Sequence, residues 1–196
     1  MLDEFQARLW SERPAAFFRE RGLTHSTVSR FALGYTGELG EGSPDLRHCL
    51  VMPYEDGLGR VRQLRYRPLY DSSLKYISMT GDEPHLFAVR ATEQATAYVC
   101  EGEIDAMSAW QAGIKAVGVP GAHAWRPEWR WLFRNCRRVV LALDPDEAGL
   151  GAAKALLQSL RTVSDVEIAH LPDGQDVNDV LRKRGERGVR EILGVA

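Results

Sequence analysis

Cysteine is scarce and badly spaced for cross-linking. The three residues, Cys49, Cys100 and Cys136, share no paired spacing, which excludes a disulfide framework or a zinc ribbon and fits a reducing compartment. The five histidines, His25, His48, His85, His123 and His170, are equally scattered and offer no ligand spacing. No apolar run approaches the length of a membrane span, and the opening Met1-Leu2-Asp3-Glu4-Phe5 is acidic with no apolar signal core. A cytoplasmic location without membrane contact is therefore expected. No serine sits in a nucleophile elbow, no Cys–His pairing suggests a thiol nucleophile, and no G-x-x-x-x-G-K-[ST] loop is present. Internal repeats and low-complexity tracts are missing too.

What is present is enough for a proper core: 196 residues, 44% hydrophobic, as one larger domain or two small ones. The net charge of −2 conceals an uneven distribution. Between Arg60 and Lys75 five basic residues (Arg60, Arg62, Arg65, Arg67 and Lys75) face the single acid Asp71. Such a strip suits a polyanion, although a merely solvated strand face has the same composition.

The chain changes character along its length. Residues 14–21 read as a short helix stopped by Gly22, and Thr24 caps a second helix over 25–31. Cys49 to Tyr54 and Arg60 to Arg67 read as strands around the turn residues 55–59. How many of the arginines share one face depends on a bulge that the sequence does not locate. From about residue 97 strands alternate with helices: strands at 98–100, 116–119, 138–143 and 166–171, helices at 104–111, 127–133, 148–160, 177–183 and near 189–193. Repeated β-α units predict an α/β fold, a Rossmann-like parallel sheet with helices on both faces. A small α+β subdomain over 1–93 precedes it, leaving 94–196 for the parallel-sheet domain.

Acids cluster at the expected carboxyl ends of these strands. Glu101-Gly102-Glu103-Ile104-Asp105 follows the first and Asp144-Pro145-Asp146-Glu147-Ala148-Gly149 the third. Asp173-Gly174-Gln175-Asp176-Val177-Asn178-Asp179 follows the last. Carboxylates at these ends can meet in the crevice where open α/β sheets bind ligands. Gathered acids repel one another unless a cation sits among them, and hard oxygen donors suit Mg²⁺ or Mn²⁺. Gly102 is expected to allow a tight turn, and Gly149 and Gly151 to let backbone approach a phosphate. Any single acidic pair could equally cap a helix.

The E-x-x-x-D and D-x-D motifs resemble the two signatures of the toprim domain. Phe18-Arg19-Glu20-Arg21-Gly22-Leu23, Val28 to Tyr35, the strand pair at 51–54 and 60–67, Lys75-Tyr76-Ile77-Ser78 and Leu86-Phe87 resemble the polymerase domain of DnaG-type primases. Asp176-Val177-Asn178-Asp179 is similar to the third acidic motif of phage helicase-primases; Asn178 stands where cellular enzymes carry an acid. The resemblance spans roughly residues 14–184. It implies a primase core that makes short RNA primers from ribonucleoside triphosphates on single-stranded DNA. It further implies Glu101, Asp105, Asp144 and Asp146 as catalytic residues, and Glu101, Asp144, Asp146, Asp176 and Asn178 as ligands of two Mg²⁺ or Mn²⁺ ions. Arg60, Arg62, Arg65, Arg67, Lys75 and Tyr76 would hold template or nucleotide. A separate zinc-binding polypeptide or a replicative helicase would be the partners, in a bacterium or a phage-infected cell. Two alternatives use the same residues: a toprim metallonuclease, and a non-catalytic nucleic-acid-binding module. In the aromatic segment 125–134, Trp125, Trp129 and Leu132 at i, i+4 and i+7 are expected to face the core.

Overall fold

A computed structural model describes the chain except residues 1, 39, 41–43, 122–123, 146 and 196, and the side chains of 44, 147, 148 and 150. The chain divides into two compact units, Met1–Glu83 and Pro84–Ala196. Residues 84–93, grouped above with the first part, belong to the second unit. Phe87 exchanges both backbone hydrogen bonds with Gly118, at 2.9 and 3.0 Å, which ties this stretch to the parallel sheet.

The first unit begins with three short helices, α1 (Leu2–Ala7), α2 (Glu12–Glu20) and α3 (His25–Ser29). The Thr24 side chain caps α3 by accepting from the Thr27 N–H at 3.3 Å. An antiparallel sheet follows in the order β1 (Gly34–Tyr35), β2 (Cys49–Glu55), β3 (Val61–Pro68) and β4 (Ile77–Ser78). β2 is buried on both faces, so it reads as one apolar run instead of alternating. Phe5 from α1 packs with Cys49, Val51 and Tyr66 in this core. The register between β2 and β3 shifts at Tyr54/Glu55, opposite Val61 and Gln63, so the bulge falls at Arg62.

The second unit holds four parallel strands in the order β6-β5-β7-β8: β5 (Thr96–Cys100), β6 (Ala116–Gly118), β7 (Arg138–Ala142) and β8 (Asp165–Ile168). Helix α4 (Glu103–Gln111) joins β5 to β6, α5 (Glu147–Leu160) joins β7 to β8, and α6 (Val177–Ile192) follows β8. Val99 and Leu141 point to the face covered by Trp129, Phe133, Leu156 and Leu160. Cys100, Val140 and Ala142, of the opposite parity, are buried as well, as helices on both faces require. The apolar pattern of β5 and β7 is continuous for this reason. At the edge, β8 exposes Asp165 and Glu167, charges that discourage further strand pairing.

Residues 127–133 wind as a 3-10 helix. Trp129 and Phe133 are buried there and Trp125 packs against them, whereas Leu132 is exposed. The core stripe is thus Trp125, Trp129 and Phe133, and the expectation for Leu132 is corrected. α6 is broken at Gly185, whose φ of 68° lies outside helical geometry, which yields the two helical stretches read from the sequence. Among the described residues no helix is long and apolar enough to cross a membrane.

Candidate metal centre and nucleic-acid surface

From β5 the chain leaves through α4 toward β6, whereas β7 continues through α5 to β8 on the opposite side. The crevice between the carboxyl ends of β5 and β7 is therefore a topological switch point, where open α/β sheets bind ligands. Cys100 and Ala142 lie opposite each other in register, so Glu101 and Asp144 leave the sheet side by side. Glu101 Oε2 accepts the backbone N–H of Asp144 at 3.3 Å.

Two further acids meet at the start of α6. Asp176 caps that helix, its Oδ1 accepting the Asp179 N–H at 2.6 Å. Asp105, in the first turn of α4, accepts the Asn178 N–H at 2.9 Å. One orphan N–H of α6 is satisfied by each carboxylate. Asn178, expected among the metal ligands, is only 1% exposed, and its amide donates to Ser108 Oγ at 2.9 Å. That bond joins α6 to α4.

A buried thiol links both acid pairs. Cys100 is fully buried, and burial raises its pKa far above the usual thiol range; the charges of Asp105, Asp144 and Asp176 push it further the same way. Three carboxylates from three separate segments thus act on one sulfur at the end of β5. As placed, no three acidic, histidine or cysteine side chains among the described residues form a ready-made cage for an ion. Asp146, predicted as a catalytic residue and ligand, lies outside the described residues. The donor set is nonetheless all hard oxygen at the sheet's mouth, which fits Mg²⁺ or Mn²⁺ and would not suit a soft metal.

Glycines set how closely these elements approach. A Cβ on Gly149 would lie 2.1 Å from the Asp144 carbonyl oxygen, and one on Gly118 would lie 2.8 Å from that of Gly102. Gly149 therefore serves contact with Asp144 itself; a Cβ on Gly151 would meet no atom beyond its own helix within 4 Å. Gly102 has an extended backbone (φ −161°) that any residue adopts, so no tight turn demands glycine there.

The basic strip of the first unit sorts into two groups. Arg60 and Arg62 both donate through Nε to Asp56 Oδ2 at 2.9 Å, clamping the β2–β3 turn. Burial works to raise the Asp56 carboxyl. Bonds from the Arg60 N–H and guanidinium, the Leu58 N–H and the Arg62 guanidinium outweigh it and hold the group well below the usual range. Beyond the bulge, Arg65 and Arg67 share a face of β3. Both guanidiniums lie over the Tyr76 ring, at 4.3 and 5.1 Å, and Arg67 also donates to the Tyr76 hydroxyl at 2.8 Å. Lys75, next to Tyr76 in sequence, is exposed. Phe17 and Arg21 were not anticipated. Arg67 sits 5.3 Å and Arg21 5.5 Å from the Phe17 ring. Their spacing of four along the chain was the available signal.

Residues 98–181 match the Toprim-like family. The Gene 57 protein of Mycobacterium phage D29 is 37% identical over 153 residues, covering 75% of this chain and 99% of that protein. The DNA primase of Clostridium acetobutylicum is 26% identical over 216 residues, covering 90% of this chain but only 36% of the primase. The chain thus spans little more than a third of that enzyme's length. Among solved structures, a DnaG primase catalytic domain bound to ssDNA superposes with a TM-score of 0.79 at 23% identity, covering 98% of this chain and 75% of that one. The chain therefore belongs to the family of the phage D29 Gene 57 protein, with a Toprim-like segment over residues 98–181 set in the fold of a DnaG primase catalytic core.

Proposed function

We propose that the protein is a DNA-directed RNA polymerase of the primase type, joining ribonucleotides into short primers on single-stranded DNA. The observation that carries this reading is the grouping of Asp105, Asp144 and Asp176 around the Cys100 thiol, with Glu101 bonded to the Asp144 backbone. Sheet-end acids that served only as helix caps would not need to converge on one residue at the end of β5.

In this reading Glu101, Asp144 and Asp176 hold Mg²⁺ or Mn²⁺, two ions if Asp146 joins them. Bound there, the metal supplies electrostatic stabilisation to the α-phosphate oxygens and lowers the pKa of the attacking 3′-hydroxyl. The chain's own part is positional. Asp105 fixes the start of α6 and with it Asp176, while the Glu101 carboxylate holds the turn that presents Asp144. Arg65 and Arg67, oriented by Tyr76, bind template phosphates without regard to base identity. The ssDNA carried by the structurally similar DnaG domain supports single-stranded DNA as the template. A zinc-binding polypeptide or a helicase would choose the start site.

Incubation with labelled ribonucleotides, a single-stranded template and Mn²⁺ tests the reading. Template-dependent extension products are expected. Cleavage of labelled nucleic acid without extension would replace the polymerase by a nuclease, and binding without either reaction would leave a nucleic-acid-binding module.

The two groups of arginines should separate on substitution. Arg67→Ala is expected to weaken binding of a fluorescent oligothymidylate about tenfold and to reduce the logarithmic salt slope by about 0.7. Arg60→Ala, whose guanidinium is engaged by Asp56, should change affinity by less than about twofold. Fluorescence anisotropy across a salt series reads both, and equal losses would show that the Asp56 clamp opens on binding.

A further inference from the structure

Beside Arg67 the first unit has an open cleft of about 370 Å³, between α2 and the chain that leaves β3. Arg13, Phe17 and Glu20 line it from α2, and Arg67, Leu69 and Tyr70 from the other side. Phe17 is flanked by the guanidiniums of Arg21 and Arg67, and the Tyr76 ring by those of Arg65 and Arg67. These two rings therefore orient cations and do not serve as open platforms for a base.

Tyr70 differs. It is 39% exposed, carries no guanidinium among the described contacts, and is pinned by its hydroxyl, which donates to the Asp45 carbonyl at 3.2 Å. Arg13 is held across the cleft by a bond from its guanidinium to the Leu69 carbonyl at 3.1 Å. A guanidinium has five N–H donors, so this bond leaves Arg13 capacity for a phosphate, as the bond to Tyr76 does for Arg67. Glu20 is the one carboxylate among the lining residues, set against two guanidiniums. The wall thus offers cations for a phosphate and a fixed aromatic face for a planar ring. Its open form admits a chain passing through.

The geometry points to this cleft as a binding site for one nucleotide unit of single-stranded nucleic acid, its phosphate between Arg13 and Arg67 and its base against Tyr70. The inference rests on the reading that Arg65 and Arg67 hold template, and extends that track onto α2, to which no nucleic-acid role was assigned above.

The test uses the full chain with fluorescent oligothymidylate and an abasic oligomer of equal length. Arg13→Ala should weaken both about fivefold or more and lower the salt slope by about 0.7. Tyr70→Ala should weaken oligothymidylate by roughly fivefold or more, since a stacked base is lost, and leave the abasic oligomer unchanged. Tyr70→Phe, which keeps the ring but loses the bond to the Asp45 carbonyl, should retain most of the affinity that Tyr70→Ala loses. If Arg67→Ala weakens binding while Arg13→Ala and Tyr70→Ala do not, the cleft is not a nucleotide site and the β3 strip stands alone. If Arg67→Ala also binds normally, both readings fall. Equal losses of both oligomers in Tyr70→Ala would reduce Tyr70 to a structural part. Competition by polyglutamate as effective as by unlabelled DNA would mean an acidic polypeptide occupies the cleft, which overturns the inference.

Discussion

Asp144→Asn should lower ribonucleotide incorporation by about 10²–10³-fold, the size of effect seen when one preorganised stabiliser of transition-state charge is removed. The substitution keeps the side chain's shape, removes its charge and exchanges one acceptor oxygen for an NH₂ donor. Its backbone N–H, which Glu101 Oε2 accepts, is untouched, so the junction of β5 and β7 should survive. Stability gives an independent sign. Like charges gathered at one strand end repel one another, more strongly as the surroundings become less polar. Neutralising one member of the group should therefore leave the metal-free protein as stable as the wild type or slightly more so. Mn²⁺ should raise the melting temperature of the wild type, through preferential binding to the folded state, and raise that of the variant far less. Thermal melts with and without Mn²⁺, beside a primer-extension assay, check both. Incorporation near the wild-type rate, or a variant that melts lower without metal and responds fully with it, would mean that Asp144 serves structure and not chemistry.

The positions of the acids were legible because each closes an apolar strand, and strand ends are marked by composition alone. Glu101 after Tyr98-Val99-Cys100 and Asp144 after Val139 to Leu143 fall at one rim of a parallel sheet on the sequence pattern alone. Their partners were less visible. Nothing local indicates that Asp105 accepts the N–H of Asn178, because the bond joins α4 to α6 across 73 residues. The bond from the Asn178 amide to Ser108 is likewise invisible locally, since only the packing of two helices brings the two residues together. The arginines had a similar history. Composition marked the strip, but the bulge at Arg62 and the reach of Asp56 divided it, and both are properties of strand pairing. Phe17 lies far from β3 in sequence, so its contact with Arg67 is tertiary information.

The largest stability effect should come from a methyl group near the same acid. Gly149→Ala would put a Cβ 2.1 Å from the Asp144 carbonyl oxygen and 3.0 Å from its carbonyl carbon, both backbone atoms that cannot rotate aside. Either α5 or the end of β7 has to move. A cost of about 3 kcal/mol is expected from such overpacking, and a loss of roughly 10 °C in melting temperature follows for a domain of this size. A Cβ at Gly151, two residues on in the same helix, would meet no atom beyond that helix within 4 Å. There alanine only removes backbone freedom from the unfolded chain and should stabilise by up to about 1 kcal/mol. Opposite signs at neighbouring glycines cannot come from helix propensity, which favours alanine at both. Urea unfolding of the two variants measures the difference, and primer extension below the melting range adds the functional half. Gly149→Ala should lose activity while still folded, because the atom it displaces belongs to Asp144, and Gly151→Ala should keep it. Were Gly149→Ala as stable and active as Gly151→Ala, the close seat of α5 on Asp144 would be wrong. The case for a built acidic site at the end of β7 would then lose its steric support, leaving the bond of Glu101 to the Asp144 backbone and the field felt by Cys100.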